Sequence, residues 1–284
     1  MTLVVMGAAG QLGGAMAEAA ARSHHVAAFT RRDLNLTDPR AIERALTPLK
    51  PSAIINCAAF SRVDDAEDAP VEALAVNAMA VRSLARIAAE LDATLMHYST
   101  DFVFDGAEPG PNTEDRAPNP SGTYAVSKLV GEWLAAAAPK HYVFRVESLF
   151  GGHAPKSSID VMFDNIIHGR PVTAFSDRTV SPSRIEDVVA ATLAALERHI
   201  PYGLYHCVNS GSTTWSHLAR ELARLAGKPD AVIHEVRMAD LKMRVTRPIN
   251  AALSNAKLTA TGISMPSWQD ALARHVSGRA AKER

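Results

Sequence analysis

The chain has 284 residues, 47% of them hydrophobic, with 30 Lys and Arg balanced by 30 Asp and Glu to a formal net charge of zero. That is enough apolar material for one large domain or two unequal ones without staples, and the sequence has none of the basic patches that a nucleic-acid partner requires. No apolar stretch reaches the ~20 residues of a membrane span, and no basic-then-apolar leader precedes the first strand at Thr2 or Leu3, so no membrane partner is expected. Cys57 and Cys207 lie in apolar runs, "IINCAA" and "LYHCVN". Their spacing suggests neither zinc nor a disulfide framework, which fits a reducing, cytoplasmic setting.

In chain order, short apolar runs alternate with longer alanine-rich ones. "LVVM" precedes "QLGGAMAEAAARS", "HVAAFT" precedes "DPRAIERALTPLK", and "SAIINCAA" precedes "VEALAVNAMAVRSLARIAAEL"; "TLMHYST", "TYAVSKLVGE" and "HYVFRVES" follow. Runs of four to eight residues without polar alternation read as strands buried on both faces, and the stretches between them carry helical spacing. The βαβαβ rhythm predicts an α/β fold, a Rossmann-like doubly wound parallel sheet. After Gly151 come a helix at "SIDVMFDNIIHG", a strand at "VTAF", a helix at "IEDVVAATLAALERH" and a strand at "LYHCVN"; "TWSHLARELARLAG", "AVIHEV" and "SWQDALARHV" read as a smaller cap. The expected division is a dinucleotide-binding domain over 1–150, its sheet completed from 178–209, and a cap formed mainly from 151–284. The last residues, "SGRAAKER", are expected to fray. The Pro- and Gly-rich loop Asp105–Gly122 is long enough to read as functional or mobile.

The segment "VVMGAAGQLGG" sets Gly7, Gly10 and Gly13 three residues apart, directly after a strand and opening a helix. Glycine permits the sharp turn and close backbone approach, and the helix N-terminus offers free N–H groups to a pyrophosphate. The spacing differs from the G-x-G-x-x-G fingerprint, so its strand–turn–helix context carries the reading. At the end of the second strand, Thr30, Arg31 and Arg32 stand where an acidic residue would grip a ribose hydroxyl, and arginine there pairs with a 2′-phosphate. NADPH is the expected cofactor, with NADH left open.

Tyr124 and Lys128 lie four apart on one helix face. A phenol with a pKa near ~10 is a poor acid at neutral pH, and a neighbouring ammonium would lower it. The same spacing also occurs in plain packed helices. Upstream, "HYSTDFVFDG" ends a strand at Ser99 and Thr100, where a doubly wound sheet presents hydroxyls to a ligand. Thr100 could there donate to a carbonyl oxygen as charge develops on it.

Taken together, "GAAGQLGG", "INCAAFSRVDDAED", "VNAMAV", "STDFVFDG", "YAVSKLVGE", "SPSRIEDV" and "RPINAALSNAKL" resemble the extended short-chain dehydrogenase/reductases, and within them the dTDP-4-dehydrorhamnose reductases. The resemblance implies reduction of the C4 ketone of a nucleotide-linked 4-keto-6-deoxy sugar. Tyr124 would be the acid, Lys128 would hold the nicotinamide ribose and depress the tyrosine, and Thr100 would polarise the carbonyl. It places Gly7, Gly10, Gln11, Leu12 and Gly13 at the pyrophosphate, Asn35 and Leu36 near the adenine, and Ala58, Ala59 and Phe60 beside the cofactor, braced by Asn77. Asp101, Val103, Phe104, Ser148 and Arg247 would face the nucleotide-sugar substrate, and a homodimer is left open.

Many of these reductases carry an aromatic residue, usually tryptophan, where Ser148 stands three positions after Arg145; losing a base-stacking platform removes about 1–3 kcal/mol by analogy. Arg247 could meet a substrate diphosphate or brace the cap. None of the 11 histidines falls in a metal motif, so no metal is expected. Two other functions fit the same residues: a sugar-nucleotide epimerase or dehydratase that recycles its nicotinamide, and a non-catalytic NADP-binding regulatory subunit.

Overall fold

The computed structural model describes residues 1–282. Its first half alternates strands β1 (Thr2–Met6), β2 (His25–Phe29), β3 (Ala53–Asn56), β4 (Thr94–Thr100) and β5 (His141–Val146) with helices α1 (Gln11–Ala20), α2 (Pro39–Leu46), α3 (Pro70–Leu74), α4 (Ala80–Glu90) and α5 (Thr123–Ala135). Successive β1 side chains point to opposite faces. Leu3 and Val5 enter one core with Met16 of α1, while Val4 and Met6 enter another with Ile42 of α2 and Leu84 of α4. Burial on both faces explains why these strands read as unbroken apolar runs.

The second half adds β6 (Leu149–Phe150), α6 (Ser158–Ile167), β7 (Val172–Phe175), β8 (Thr179–Val180), β9 (Ser183–Arg184), α7 (Ile185–Arg198), β10 (Gly203–His206), β11 (Thr213–Thr214), α8 (Trp215–Leu225), β12 (Ile233–Val236), α9 (Ala256–Ala260) and α10 (Trp268–Lys282). The main sheet runs β10-β5-β4-β3-β1-β2, and every pairing in it is parallel. Strand β7 lies outside this sheet and pairs with β12. A separate apolar core, built on Phe163 of α6, Leu218 and Leu222 of α8, and Trp268 and Leu272 of α10, forms the cap beside the sheet.

One sequence expectation is corrected, and of the two readings of the long loop mobility is ruled out. The tail does not fray from Ser277, because α10 continues to Lys282; residues 283 and 284 lie outside the described residues. The 105–122 loop is docked along its length: Asn112 N–H donates to the Ala252 carbonyl at 2.8 Å and Ser254 N–H donates back to Asn112 O at 2.8 Å. The Asn250 amide donates to Glu108 O at 2.7 Å. Part of "RPINAALSNAKL" is therefore the seat of this loop, and the satisfied backbone groups fix its path.

Candidate active site

The direction of strand progression reverses between β1 and β3, the crevice where doubly wound sheets take ligands. The glycine turn lies in that crevice. Gly7 has φ of +76°, and a Cβ there would sit 2.8 Å from Ala58 N; a Cβ on Gly13 would meet Gly7 O at 2.2 Å. Helix α1 begins at Gly10 with no side-chain cap, which leaves its first N–H groups for an anion. This cradle fits a dinucleotide pyrophosphate. Leu12 is buried in the core beneath it, while the Gln11 amide reaches across to the Gly151 carbonyl at 3.1 Å and to Asp160 at 3.3 Å, tying the turn to the cap. Arg31 and Arg32 stand exposed after β2, with Arg31 3.3 Å from Glu72, and Thr30 donates to Asp33 at 2.7 Å. Asn35 is exposed and Leu36 half-buried on the same rim; Ala58 is half-buried and Ala59 exposed after β3.

Asn77 braces this region through three hydrogen bonds. Its side chain accepts from Phe60 N–H at 2.8 Å, donates to Phe60 O at 3.0 Å and donates to the Ser127 hydroxyl at 2.9 Å. It occupies a π-helical turn, Ala75–Met79, between α3 and α4, a local bulge of the kind that marks functional sites. Gly131 of α5 packs so close that a Cβ would lie 2.2 Å from Asn77 O.

Thr100, Tyr124 and Lys128 come together at the carboxyl end of β4. Phe102 packs edge-on against Tyr124, ring centroids 5.6 Å apart. The Thr100 hydroxyl donates to Asp101 Oδ1 at 2.8 Å. The expectation that Lys128 depresses the phenol is corrected here. Lys128 Nζ donates to the Tyr98 carbonyl at 2.6 Å and lies 3.4 Å from His97 Nε2, so its charge is directed at the strand. Burial pushes Tyr124 up to about 12, against a smaller opposing effect from the Thr100 hydroxyl. Burial also pulls Lys128 down to about 8, opposed by the Glu132 carboxylate. The tyrosine is therefore protonated at neutral pH, as an acid must be before it acts.

Asp101, Ser148 and Arg247 line a cavity of about 450 Å³ beside these groups, together with Phe102, Glu147, Arg178 and Trp215. Arg247 is paired with Asp64 through hydrogen bonds of 3.0 and 2.7 Å, which hold Asp64 below the usual carboxylate range. It braces the cap across the cleft while still lining the cavity. Val103 and Phe104 are placed elsewhere, buried in a small core with Leu129, Val208 and Leu253; of the three residues after Asp101, Phe102 is the one on the cavity. Phe102, Glu147, Arg178 and Trp215 were not found from the sequence. The available signal was Glu147, one of two charges, with Arg145, inside the otherwise apolar run "VFRVESLF".

The chain is 35% identical to a dTDP-4-dehydrorhamnose reductase of Mycobacterium tuberculosis over 279 residues, covering 95% of this chain and 91% of that one. Its fold matches the crystal structure of a dTDP-4-dehydrorhamnose reductase from Clostridium acetobutylicum with a TM-score of 0.93 at 27% identity, covering 99% and 100% of the two chains. A Bacillus anthracis dTDP-4-dehydrorhamnose reductase in complex with NADP matches with a TM-score of 0.92 at 26% identity, covering 98% and 99%. The family model described as the RmlD substrate binding domain matches residues 1–280, and the chain belongs to that family.

Proposed function

We propose that this chain is an NADPH-dependent reductase of the C4 ketone of a nucleotide-linked 4-keto-6-deoxy sugar, acting on dTDP-4-dehydrorhamnose to give dTDP-L-rhamnose. The observation that carries this reading is the meeting of Thr100, Tyr124 and Lys128 at the end of β4, beside a glycine cradle, in a chain of this family. NADPH, when bound, supplies the hydride that reaches C4. Tyr124 gives its phenolic proton to the C4 oxygen, and Thr100 turns from Asp101 to donate to the same oxygen. Lys128 holds the nicotinamide ribose. The α1 N-terminus takes the pyrophosphate, and Arg31 or Arg32 takes the 2′-phosphate that distinguishes NADPH from NADH.

Both cysteines are free thiols, consistent with work in a reducing cytoplasm. Val71 and Leu74 on α3, Met79 just after it, and Val126 and Trp133 on α5 are exposed. This apolar row supports a homodimer, which sedimentation equilibrium would detect.

Purified protein with dTDP-4-dehydrorhamnose and NADPH is expected to lose nicotinamide absorbance stoichiometrically with sugar reduced. No loss, under conditions where the Mycobacterium tuberculosis relative turns over, would refute the substrate assignment. Product formed without net cofactor consumption would instead point to epimerase or dehydratase chemistry.

A further inference from the structure

We propose that His97 is a positioning residue for Lys128: Asn56 holds its ring in the Nε2–H form, which points a donor at the lysine nitrogen and favours the uncharged amine. The inference rests on the ketone-reductase reading for its effect on turnover and adds to it a residue that sets when Lys128 gives up its charge.

His97 of β4, Asn56 of β3 and Lys128 of α5 are all buried, so their polar groups must find partners within the protein. Asn56 and His97 are paired across the two parallel strands, and the Asn56 side-chain nitrogen lies 3.1 Å from His97 Nδ1. The Asn56 side-chain oxygen accepts from the Ala58 N–H at 3.1 Å. That second bond fixes which way the amide faces, because turning it over would set its NH2 against the Ala58 N–H, donor against donor. Asn56 therefore donates to Nδ1. Burial and the neighbouring Lys128 charge hold His97 well below its ordinary range, so the ring is neutral. A neutral ring carries one proton, and with Nδ1 acting as acceptor that proton is on Nε2.

His97 Nε2 lies 3.4 Å from Lys128 Nζ. An ammonium has only donors, whereas an amine has a lone pair with which to accept. Facing Nε2–H, the amine gains a hydrogen bond and the ammonium meets the positive end of another donor. The Tyr98 carbonyl, at 2.6 Å, accepts from either form and so anchors the nitrogen without choosing between them. Gly131 lets α5 press onto this ring, since a Cβ there would lie 3.4 Å from Nε2. A hydrogen bond to the neutral form of a base disfavours its charged form. His97 thus acts in the same direction as burial, which pulls Lys128 down to about 8.

The ionisable groups on the surrounding elements do not take over this role. Glu132, one turn further along α5, favours the cation, but its carboxylate is held by Arg145 of β5 at 2.8 and 2.7 Å. Asp101 after β4 faces Arg178 at 3.8 Å. Burial keeps Cys57 after β3 a thiol and Tyr124 a phenol. The chain of contacts from Ala58 through Asn56 and His97 to Lys128 begins at the loop assigned to the cofactor and ends at the lysine assigned to the nicotinamide ribose.

The test is NMR on the resting protein, labelled with ¹⁵N in histidine and ¹³C at lysine Cε, with signals assigned by their loss in His97→Gln and Lys128→Arg. Wild type is expected to show the Nε2–H form of His97 at pH 7, with Lys128 titrating at least one pH unit below the ~10.4 of free lysine. Asn56→Ala removes the donor to Nδ1 without adding charge, and Asn56→Asp replaces it with an acceptor that still serves Ala58. Both should turn the ring to its Nδ1–H form and raise the Lys128 midpoint by about one pH unit. The alkaline fall in kcat/KM should move up with it, which a merely structural role for His97 would not produce. Should Asn56→Ala not fold, Asn56→Ser supplies the uncharged comparison. An Nδ1–H ring in wild type, or a Lys128 midpoint unmoved in the uncharged variant, would overturn the assignment; a rise in Asn56→Asp alone reports its added charge and also overturns it. The titration needs no turnover, so the two levels of the account fail separately. The expected shifts in a protein that reduces no ketone support the role of His97 and overturn the reductase reading. Ketone reduction by a protein whose His97 is Nδ1–H overturns the role of His97 alone.

Discussion

The cofactor cradle and the substrate wall stand side by side in one cleft but are built in different ways. Backbone makes the cradle: Gly7, Gly10 and Gly13 fall within seven residues of one strand–turn–helix, packed so that an added Cβ would lie 2.8 Å from Ala58 N at Gly7, and 3.3 and 2.2 Å from Gly7 O at Gly10 and Gly13. Side chains from segments far apart in sequence make the wall, with Asp101 after β4, Glu147 and Ser148 after β5, Arg178 before β8, Trp215 opening α8 and Arg247 beyond β12. Recognition by backbone constrains a short window of residue types. Recognition by assembled side chains constrains only the final topology, and each position is locally free to vary.

That contrast can be tested by changing one region at a time. The largest effect is expected from Tyr124→Phe, which removes the proton donor: kcat should fall by about 10²–10⁴, with NADPH affinity within threefold of wild type by fluorescence titration. A parallel loss of affinity would mean that Tyr124 belongs to the cradle. Glu132 and Arg145 form a buried bidentate pair at 2.8 and 2.7 Å beneath both regions. Removing one partner of such a pair costs about 3–5 kcal/mol, so Glu132→Ala should show a lowered denaturation midpoint.

Gly13→Val should behave in the opposite way to Tyr124→Phe. Its Cβ would meet Gly7 O at 2.2 Å, and the overpacking of about 1–3 kcal/mol should weaken NADPH binding tenfold or more while sparing substrate-analogue binding. The pH profile provides a fourth test. Lys128 is active as a cation and is pulled down to about 8, so kcat/KM should fall as pH rises through about 8, an effect that Lys128→Arg should abolish. The linked stability change has a definite sign: the folded pKa lies below the unfolded value near ~10.4, the unfolded chain binds more protons in that interval, and stability should rise with pH from about 8 to ~10.4. The smallest effect is expected from Arg247→Ala. Its partner Asp64 is half-exposed, and pairs of that kind contribute at most about 1 kcal/mol; a larger rise in KM than loss of stability would mark Arg247 as a substrate contact.

The same contrast explains what was legible in the sequence. The parallel sheet followed from apolar runs that are buried on both faces, and the glycine turn and the Tyr124–Lys128 face followed from local spacing. The behaviour of Lys128 did not, because its partner, the Tyr98 carbonyl, comes from a strand 30 residues upstream. The Asp105–Gly122 segment reads as functional or mobile because its composition is that of a loop, yet several of its hydrogen-bond partners lie in 250–254, far along the chain. Val103 and Phe104 sit beside Asp101 in sequence, but the 3-10 turn Asp101–Val103 leaves Phe102 on the cavity and its neighbours in the core. Arg178 in "SDRTVS" has the look of a solvated turn, and only the fold sets it against Asp101.

The central claim is hydride transfer to the sugar's C4 with a proton from Tyr124, and isotope tracing tests it most directly. With NADPH carrying deuterium at both C4 positions of the nicotinamide and dTDP-4-dehydrorhamnose as substrate, the account predicts one deuterium per product molecule, located on C4 of the sugar by NMR. Product without deuterium at that carbon, or label that stays with the nicotinamide through turnover, would contradict it.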